Sequence, residues 1–535
     1  MSASQAVSQK PQTFVRKASG LVRTAGTFDV LAYNINFTSI GLLLAFLILL
    51  GPAFYPGINM AWSTIICVIL LIPLSLVFGY LGSAMPRSGG DYVYVSRVLG
   101  PAWGMMSNFN MTMWWFFYGG VPSAFLARYG LAPFFRTMGV FTNNLGLIEV
   151  GNWLTSPIGM FVFGALLITL LVVIFSVGLR TFFRVQNILI IFATVSTLLT
   201  IVVFVGKTQA DFFTAFNQFV GPLSGHADAA AFVLQAGKDA GFQLAPFDLR
   251  NTLLAMTWIY LNLSFMSSSA YIGSEVKDAK RLQLWSMPAT VVIVGLGVLV
   301  TVGLVGRVVG YEFLGALGTM DPTQLGMSSA PLYTELASYL SGSGVVAFLI
   351  TFGFIFWSYA WLPGQILNGS RNILAYSIDG IFPAWFRQVH PRLHTPVPAL
   401  VTMGVMSIIA LAIYVFTPLF ATLVGIFGFI LSFIMVSLSA ILLPYRQANV
   451  FETSSVNQRV GRLPVISIIG VLSLASCIFF AWVFLSDPMA GMTPTMVIFN
   501  IAVFLSGLLV YFISKWVQAR RGVDVSLSYK ELPNE

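Results

Sequence analysis

Charge is scarce in this chain of 535 residues: Asp, Glu, Lys and Arg together supply 8% of it, where an ordinary soluble domain carries about 25%. With 57% hydrophobic residues and a mean hydropathy of +0.87, the sequence cannot clothe a globule in polar surface and belongs in a bilayer. Cysteine is nearly missing. Only Cys67 and Cys477 occur, in separate apolar runs, which excludes a disulfide framework and a cysteine metal spacing. Histidine is limited to His226, His390 and His394, all between apolar runs, and Pro391 interrupts the helix that would align the last two, so no metal site is expected. No carboxylate or histidine pair lies inside an apolar run, as a membrane-embedded enzyme would need. A GKS/T loop to cradle ATP phosphates is also missing. The chain is therefore expected to have no catalytic residues, metal or cofactor, and not to be an enzyme.

What is present is a series of twelve apolar runs, each near the ~20 residues that cross the hydrocarbon core. They centre on 30–50, 62–81, 103–129, 159–178, 185–205, 253–272, 286–305, 345–367, 398–416, 422–443, 465–485 and 496–513. The third is interrupted by Asn108, Asn110 and Pro122. The first is too long for a signal peptide and has no small-residue cleavage pattern after it, so it stays as the first span. An even count puts both termini on one side. Of the 27 Lys and Arg, 21 fall on that side, leaving Arg128, Arg136, Lys207, Lys238, Arg250 and Arg307 opposite. Both termini are thus expected in the cytoplasm, in a multi-pass protein of the cell membrane. The net charge of +9 serves insertion and contact with anionic inner-leaflet lipid; no nucleic-acid partner is needed to account for it.

One stretch begins as a membrane helix and then stops behaving like one. Leu253–Arg281 runs apolar to Ser264, Phe265 and Met266, meets Ser267, Ser268 and Ser269, and leaves through the charged segment Glu275–Arg281. An unpaired backbone group in hydrocarbon costs several kcal/mol, so irregular backbone there must face protein or a wet cavity. The serines either cover freed backbone groups, bind a solute, or mark close helix packing. The first run is its natural mate, polar at Asn34, Asn36, Thr38 and Ser39 and apolar after Gly41. Asp29 sits at its start, where it suits the helix dipole. Asp91, Tyr92, Tyr94, Ser96, Arg97 and Val98, after Gly89-Gly90, read as an amphipathic turn at the inner membrane surface. Residues 206–251 read as a partly ordered external lid, APLYTELASYL as a short amphipathic helix, and the segment from Asn368 onward as an inner loop.

Four stretches resemble the amino acid–polyamine–organocation permeases: PRSGGDYVYVSRVLGPAWG, GLRTFFRVQN, AYIGSEVKDAKR and SRNILAYSIDGIFPAWFRQVHPRLHTPVPAL. They stand in family order and at family spacing across roughly residues 28 to 445. The resemblance implies an all-α integral membrane protein with twelve transmembrane helices and a leucine-transporter-like fold, in which helices 1–5 and 6–10 form a 5+5 inverted repeat and two peripheral helices lie outside. In this chain that gives a cytoplasmic tail at 1–27, a first repeat at 28–205, an extracellular loop at 206–251 and a second repeat at 252–443. A cytoplasmic loop with helices 11 and 12 follows at 444–516, and a cytoplasmic tail at 517–535. Independently, five spans per unit is odd, so a second unit must enter from the opposite face.

The same resemblance implies a substrate site at unwound segments of helices 1 and 6, here Thr38, Ser39, Ile40 and Gly41 with Ser264, Phe265, Met266, Ser267 and Ser268. Two departures stand out. The family's glycine-x-glycine is reduced to Gly41, and Phe265 aligns with a family glycine, leaving less room for backbone to approach a carboxylate. Asn36, Asn110, Trp114, Trp357 and Trp361 either line a cavity or pack. Glu275 is expected to pair with Lys or Arg near the inner mouth. Proton-coupled relatives carry a lysine in helix 5; here Ala193 aligns with it, and no Lys or Arg occurs between Arg184 and Lys207. The vacancy is left to a cation held by Thr38, Ser39, Ser196 and Thr197, or to nothing, and coupling is expected to Na+ or to H+ taken up elsewhere. The functional expectation is a secondary transporter moving amino acids or related amines by alternating access. Its alternatives are a polyamine or nucleobase carrier on the same fold, or a channel, against which ionisable residues only near the ends of the spans argue.

Overall fold

The computed structural model describes residues 20–417 and 424–529. Most of the expected 1–27 tail, with Lys10, Arg16 and Lys17, and residues 530–535 of the expected 517–535 tail lie outside them. The described chain is helical throughout, apart from one two-residue antiparallel pair that sets Arg459 against Pro464 and Val460 against Leu463. Ten of its helices are long and apolar enough to cross a membrane. The two expected spans missing from that set, 103–129 and 253–272, are the ones the structure breaks.

Four helices introduce the region that matters most: α1 (Thr27–Thr38), α2 (Ile40–Phe54), α3 (Met60–Ala84) and α4 (Asp91–Val98). The first apolar run is α1 and α2, divided at Ser39, whose φ of 42° is left-handed. The Ser39 hydroxyl accepts from the Leu42 N–H at 3.4 Å, capping α2, and donates to the Trp357 carbonyl at 2.8 Å. A strained residue is thus held on both sides. The third run becomes α5 (Pro101–Tyr118), a short helix at Val121–Phe125, a π turn at Leu126–Leu131 and a helix at Ala132–Thr142. It bends at Gly119-Gly120, where a Cβ on Gly120 would strike the backbone of Leu411; glycine lets the Val397–Phe416 helix come this close.

α3 packs along Ala279–Val308, with Gly79 and Gly82 pressed on Leu284 and Gln283. Leu179–Phe204 packs along Gly344–Ser358, where Gly353 faces the Phe192 carbonyl and the Ser196 hydroxyl donates to Ile350 O at 2.5 Å. The loop at 206–251 contains helices Gln209–Ser224 and Ala229–Asp239, which pack on Tyr333–Ser341 and Tyr311–Thr319.

Two local expectations are corrected. The segment expected as a loop from Asn368 continues as helix from Trp361 to Ile378, because its polar residues all find buried partners: Asn368 meets Tyr33, Arg371 meets Glu275, and Asn372 and Tyr376 meet Thr112. The Asp91–Val98 segment does not present a polar face to its surroundings, as an amphipathic surface turn would; every residue in it is buried. Arg136, counted as a charge on the outer side, is also buried and forms a two-pronged ion pair with Glu335 at 2.9 and 3.1 Å, while its other amine donates to Ser329 O. Replacing Arg136 with Ala should strand Glu335 and lower stability by about 3–5 kcal/mol. Thermal unfolding in detergent should show this loss, and the double change Arg136→Ala, Glu335→Ala should recover part of it.

Candidate functional site

The break at Ser39 and the irregular part of Leu253–Arg281 meet. After Met256–Leu263 the α-helix tightens into a 3-10 segment, Ser264–Tyr271. Asn34 in α1 locks the two together: its carbonyl accepts from Ser269 N–H at 2.8 Å, and its amide donates to the Ser269 and Ser286 hydroxyls at 3.0 and 3.4 Å. Gln283 completes the lock, accepting from Ser269 Oγ at 2.7 Å and donating to Ser269 O at 2.8 Å. Ser269 therefore belongs to the scaffold. Ser268 donates to its own segment at Phe265 O, 3.1 Å away, whereas the buried Ser264 hydroxyl has no partner.

Next to this lock the rings of Phe37 and Phe265 stack, 4.9 Å apart and 22° from parallel. Phe265 also meets Phe429 edge-on at 5.4 Å and tilts against Trp361 at 6.4 Å. The Trp361–Ile378 helix forms the third wall. Gly364 lets Phe37 approach, since a Cβ there would lie 2.6 Å from the ring, and Asn368 Oδ1 accepts from the Tyr33 hydroxyl at 2.8 Å. Along this helix the polar atoms Trp361 Nε1, Gln365 Oε1 and Asn368 Nδ2 are buried without partners, as is Asn262 Oδ1 on the Met256–Leu263 helix. Buried polar atoms are nearly always satisfied by protein or water, so a group of orphans beside two broken helices is where water or a polar solute is needed. Phe37, Gln365 and Asn368 are absent from the sequence-based candidates. Their signal is the spacing 361, 365, 368, polar positions on one face of a helix inside a span.

The other candidates are placed as follows. Thr38 donates to Ile35 O at 2.7 Å. Ile40 and Gly41 are already helical, and Gly41 faces Trp357, whose Cβ would lie 2.5 Å from an added methyl. Met266 and Ser267 are buried in the 3-10 segment, and Asn36 is buried in α1. Asn110 donates to Gly428 O at 2.7 Å and to the Ser432 hydroxyl at 2.8 Å, and accepts from Trp114 Nε1 at 3.1 Å. Asn110 and Trp114 thus pin α5 to the Val424–Arg446 helix. Trp357 turns away from the stacked phenylalanines and donates to Ala193 O at 2.8 Å and Thr197 Oγ1 at 3.1 Å. An indole N–H therefore serves the place where the resemblance puts a lysine in relatives. Of the ion-site hydroxyls, Ser39 and Thr197 both touch Trp357, Ser196 joins two helices, and all four donate to main-chain carbonyls.

At the end of the bundle that carries both described termini, buried side chains pair across several elements. Glu275 grips Arg371 through two bonds of 2.7 and 2.9 Å, both partners fully buried. Arg97 meets Asp379 at 2.8 Å, and the hydroxyls of Ser88 and Ser274 touch. Asn108 donates to Asp91 Oδ1 at 2.9 Å and accepts from the Tyr376 hydroxyl. The last described residues add a latch: Tyr529 and Tyr92 share a hydrogen bond of 2.8 Å, Tyr529 lies under the Arg97 guanidinium, 4.9 Å from ring centre to carbon, and Ser528 Oγ donates to Asp379 O at 3.2 Å.

A family model described as amino acid permease matches residues 32–509. The Asc-type amino acid transporter 1 of Homo sapiens is 24% identical over 445 residues, 81% of this chain and 72% of that protein. The vacuolar cationic amino acid transporter 4 of Arabidopsis thaliana is 26% identical over 216 residues, 40% of this chain and 33% of the relative. Its mitochondrial counterpart, cationic amino acid transporter 3, is 27% identical over 203 residues, 37% and 30% of the two chains. The chain thus spans about a third of each plant relative.

The latch can be tested apart from any solute. With Cys67 and Cys477 replaced by alanine, a single cysteine at Ser274 should be slow to react with a maleimide. Truncation after Asp524, which removes the two latch hydrogen bonds and the cation–π contact, should speed the reaction at least roughly threefold to tenfold, the effect of losing even one net hydrogen bond of about 0.5–1.5 kcal/mol.

Proposed function

The chain belongs to the amino acid permease family, and we propose that it is a secondary transporter that carries amino acids across the cell membrane by alternating access. The observation that carries the reading is the meeting of two interrupted helices, at Ser39 and Ser264–Tyr271, beside buried polar atoms that lack partners. Freed backbone groups and helix ends at such a break suit the carboxylate and amine of an amino acid. In this reading the broken segments at 101–142 and 249–275 each count as a crossing, giving twelve spans, with inverted repeats at 28–205 and 252–443 and both termini in the cytoplasm. The described end is then the cytoplasmic gate, closed, and the solute enters from the opposite side.

The walls of the site bear on which amino acids fit. Phe37, Phe265, Trp361 and Phe429 give an aromatic lining, and Ser264, Gln365 and Asn368 are neutral. No carboxylate is among these wall residues, and those on α1, α2 and residues 249–275 are committed elsewhere, Glu275 to Arg371 and Asp29 to the Gly26 N–H and the Asn187 amide. A lysine or arginine side chain would meet no counter-charge, so the substrate is an amino acid with an uncharged side chain. The names of the plant relatives favour cationic substrates instead, and competition decides between the two.

Uptake of labelled amino acids into proteoliposomes should be competed by small and apolar amino acids, and weakly by lysine, arginine, polyamines or nucleobases. Phe265→Ala should lower uptake at least tenfold by opening the stack, while Ser264→Ala should weaken affinity roughly threefold to tenfold. Strong competition by arginine would overturn the neutral-substrate reading, and competition by nucleobases alone would overturn amino acid transport. For topology, cysteines at Ser88 and Ser274 should react only from the cytoplasmic side and one at Ser224 only from outside; the reverse pattern would invert the assignment.

A further inference from the structure

Two buried acids among the described residues have no cation, Asp91 and Asp487, and Asp487 accepts from the Tyr55 hydroxyl at 2.8 Å. Asp91 is the first residue of α4, just beyond the α3 span, and is completely shielded from solvent. Its Oδ1 accepts from Asn108; Oδ2 faces the hydroxyl of Tyr271, the last residue of the 3-10 segment, and neither of these two atoms has a closer partner. The Tyr271 ring is fixed there by Gly90, where a Cβ would come within 2.9 Å, and by the edge of Trp115 at 4.8 Å.

The groups around Asp91 leave it uncompensated. From α4 itself come Tyr92, Tyr94 and Arg97; from α5 only the neutral Asn108 and Thr112; from the Trp361–Ile378 helix Tyr376 and Arg371; from the Val424–Arg446 helix Arg446; and from the chain end Tyr529. Arg97 is bound to Asp379, Arg371 to Glu275, and Arg446 to the carbonyls of Val98 and Leu99. The phenols are neutral near pH 7. Burial pushes the Asp91 carboxyl up from 3.8 to about 6, outweighing the Tyr271 hydroxyl, the Asn108 amide and the backbone N–H at the start of α4, which favour the charge.

We propose that Asp91 is the proton-binding group of the transport cycle: its Oδ2 takes up a proton while the cytoplasmic gate is closed and releases it to the cytoplasm when the gate opens. This rests on the transport reading and deepens it, by making the carrier a proton symporter without a lysine in the Leu179–Phe204 helix. The step is a simple protonation: the carboxylate, whose charge the Tyr271 hydroxyl favours, becomes a neutral carboxylic acid, and the buried charge is removed. Closing the gate strips water from Asp91, and a proton removes the cost of the buried charge. Opening the gate rehydrates it, and the proton leaves. Because the closed form has the raised pKa, the closed gate is favoured progressively as pH falls from about 6 toward 3.8 and loses that advantage as pH rises. Ser264 at one end of the 3-10 segment borders the solute site and Tyr271 at the other faces Asp91, so one segment joins the two events.

Two measurements on the full-length protein in liposomes test this. Infrared difference spectra, wild type minus Asp91→Asn, should show a protonated carboxyl band that titrates with a midpoint near pH 6; without that band the inference falls, whatever is transported. Uptake of an equimolar mixture of labelled amino acids should rise several-fold under an inward proton gradient in the wild type and not in Asp91→Asn. Tyr271→Phe, which keeps the ring, should move the infrared midpoint upward by roughly half to one pH unit, a shift that stands even if Asp91→Asn does not fold. Uptake that ignores the gradient in the wild type, or a folded Asp91→Asn that still responds, overturns Asp91 as the coupling group and leaves amino acid transport intact. Failure to take up any amino acid overturns the transport reading, and the infrared titration still decides whether Asp91 binds the proton.

Discussion

The architecture depends on one constraint: a backbone amide or carbonyl released inside the hydrocarbon layer must find a partner within the protein. The chain releases several, at Ser39 and through Ser264–Tyr271, and the surrounding helices exist in part to receive them. Asn34, Ser269, Gln283 and Ser286 form a single polar clasp across three segments that are distant in sequence. Ser39 is held from its other side by the carbonyl of Trp357. With these contacts made, the irregular backbone is no longer a defect. It becomes a place where helix ends and unsatisfied side chains can face a solute.

The charges follow the same logic at the termini-bearing end. Few ionisable residues are present, and those near the gate are paired across elements that must separate if the gate opens: Glu275 with Arg371, and Arg97 with Asp379. Both pairs are desolvated, so each is a strong clasp when intact and costly when half-made. In the proposed alternating cycle, such pairs would give a gate two discrete arrangements rather than a continuum. Asp91 is the exception, a buried acid without a cation, and its neighbours are phenols and amides. The chain end lies over this arrangement through Ser528 and Tyr529, so a segment outside the transmembrane core bears directly on it.

Much of this was legible as pattern. The apolar runs located the long helices, the polar middle of Leu253–Arg281 located the irregular one, and the charged exit after it held an acid that pairs with an arginine. The failures share a cause. Asp91–Val98 looked amphipathic and the segment from Asn368 looked like a loop because polar residues in a span are costly when alone. Here Arg97, Asn368, Arg371 and Tyr376 are not alone, but their partners lie between 96 and 335 residues away along the chain. Trp357 illustrates the same limit: its composition suits a cavity wall, yet its N–H is drawn to Ala193 on a neighbouring helix.

By itself, then, the sequence determined that the protein is a bundle of membrane helices, where its helices give way, and to which family it belongs. Those properties follow from local hydropathy, from serine and glycine inside apolar runs, and from short motifs read in order. The tertiary structure alone decided which serine holds the scaffold and which is free, which tryptophan faces the stacked phenylalanines, and which acids are left without a cation. Each of those outcomes depends on pairing between side chains brought together by helix packing, and pairing at such separations leaves no periodic trace in a single chain.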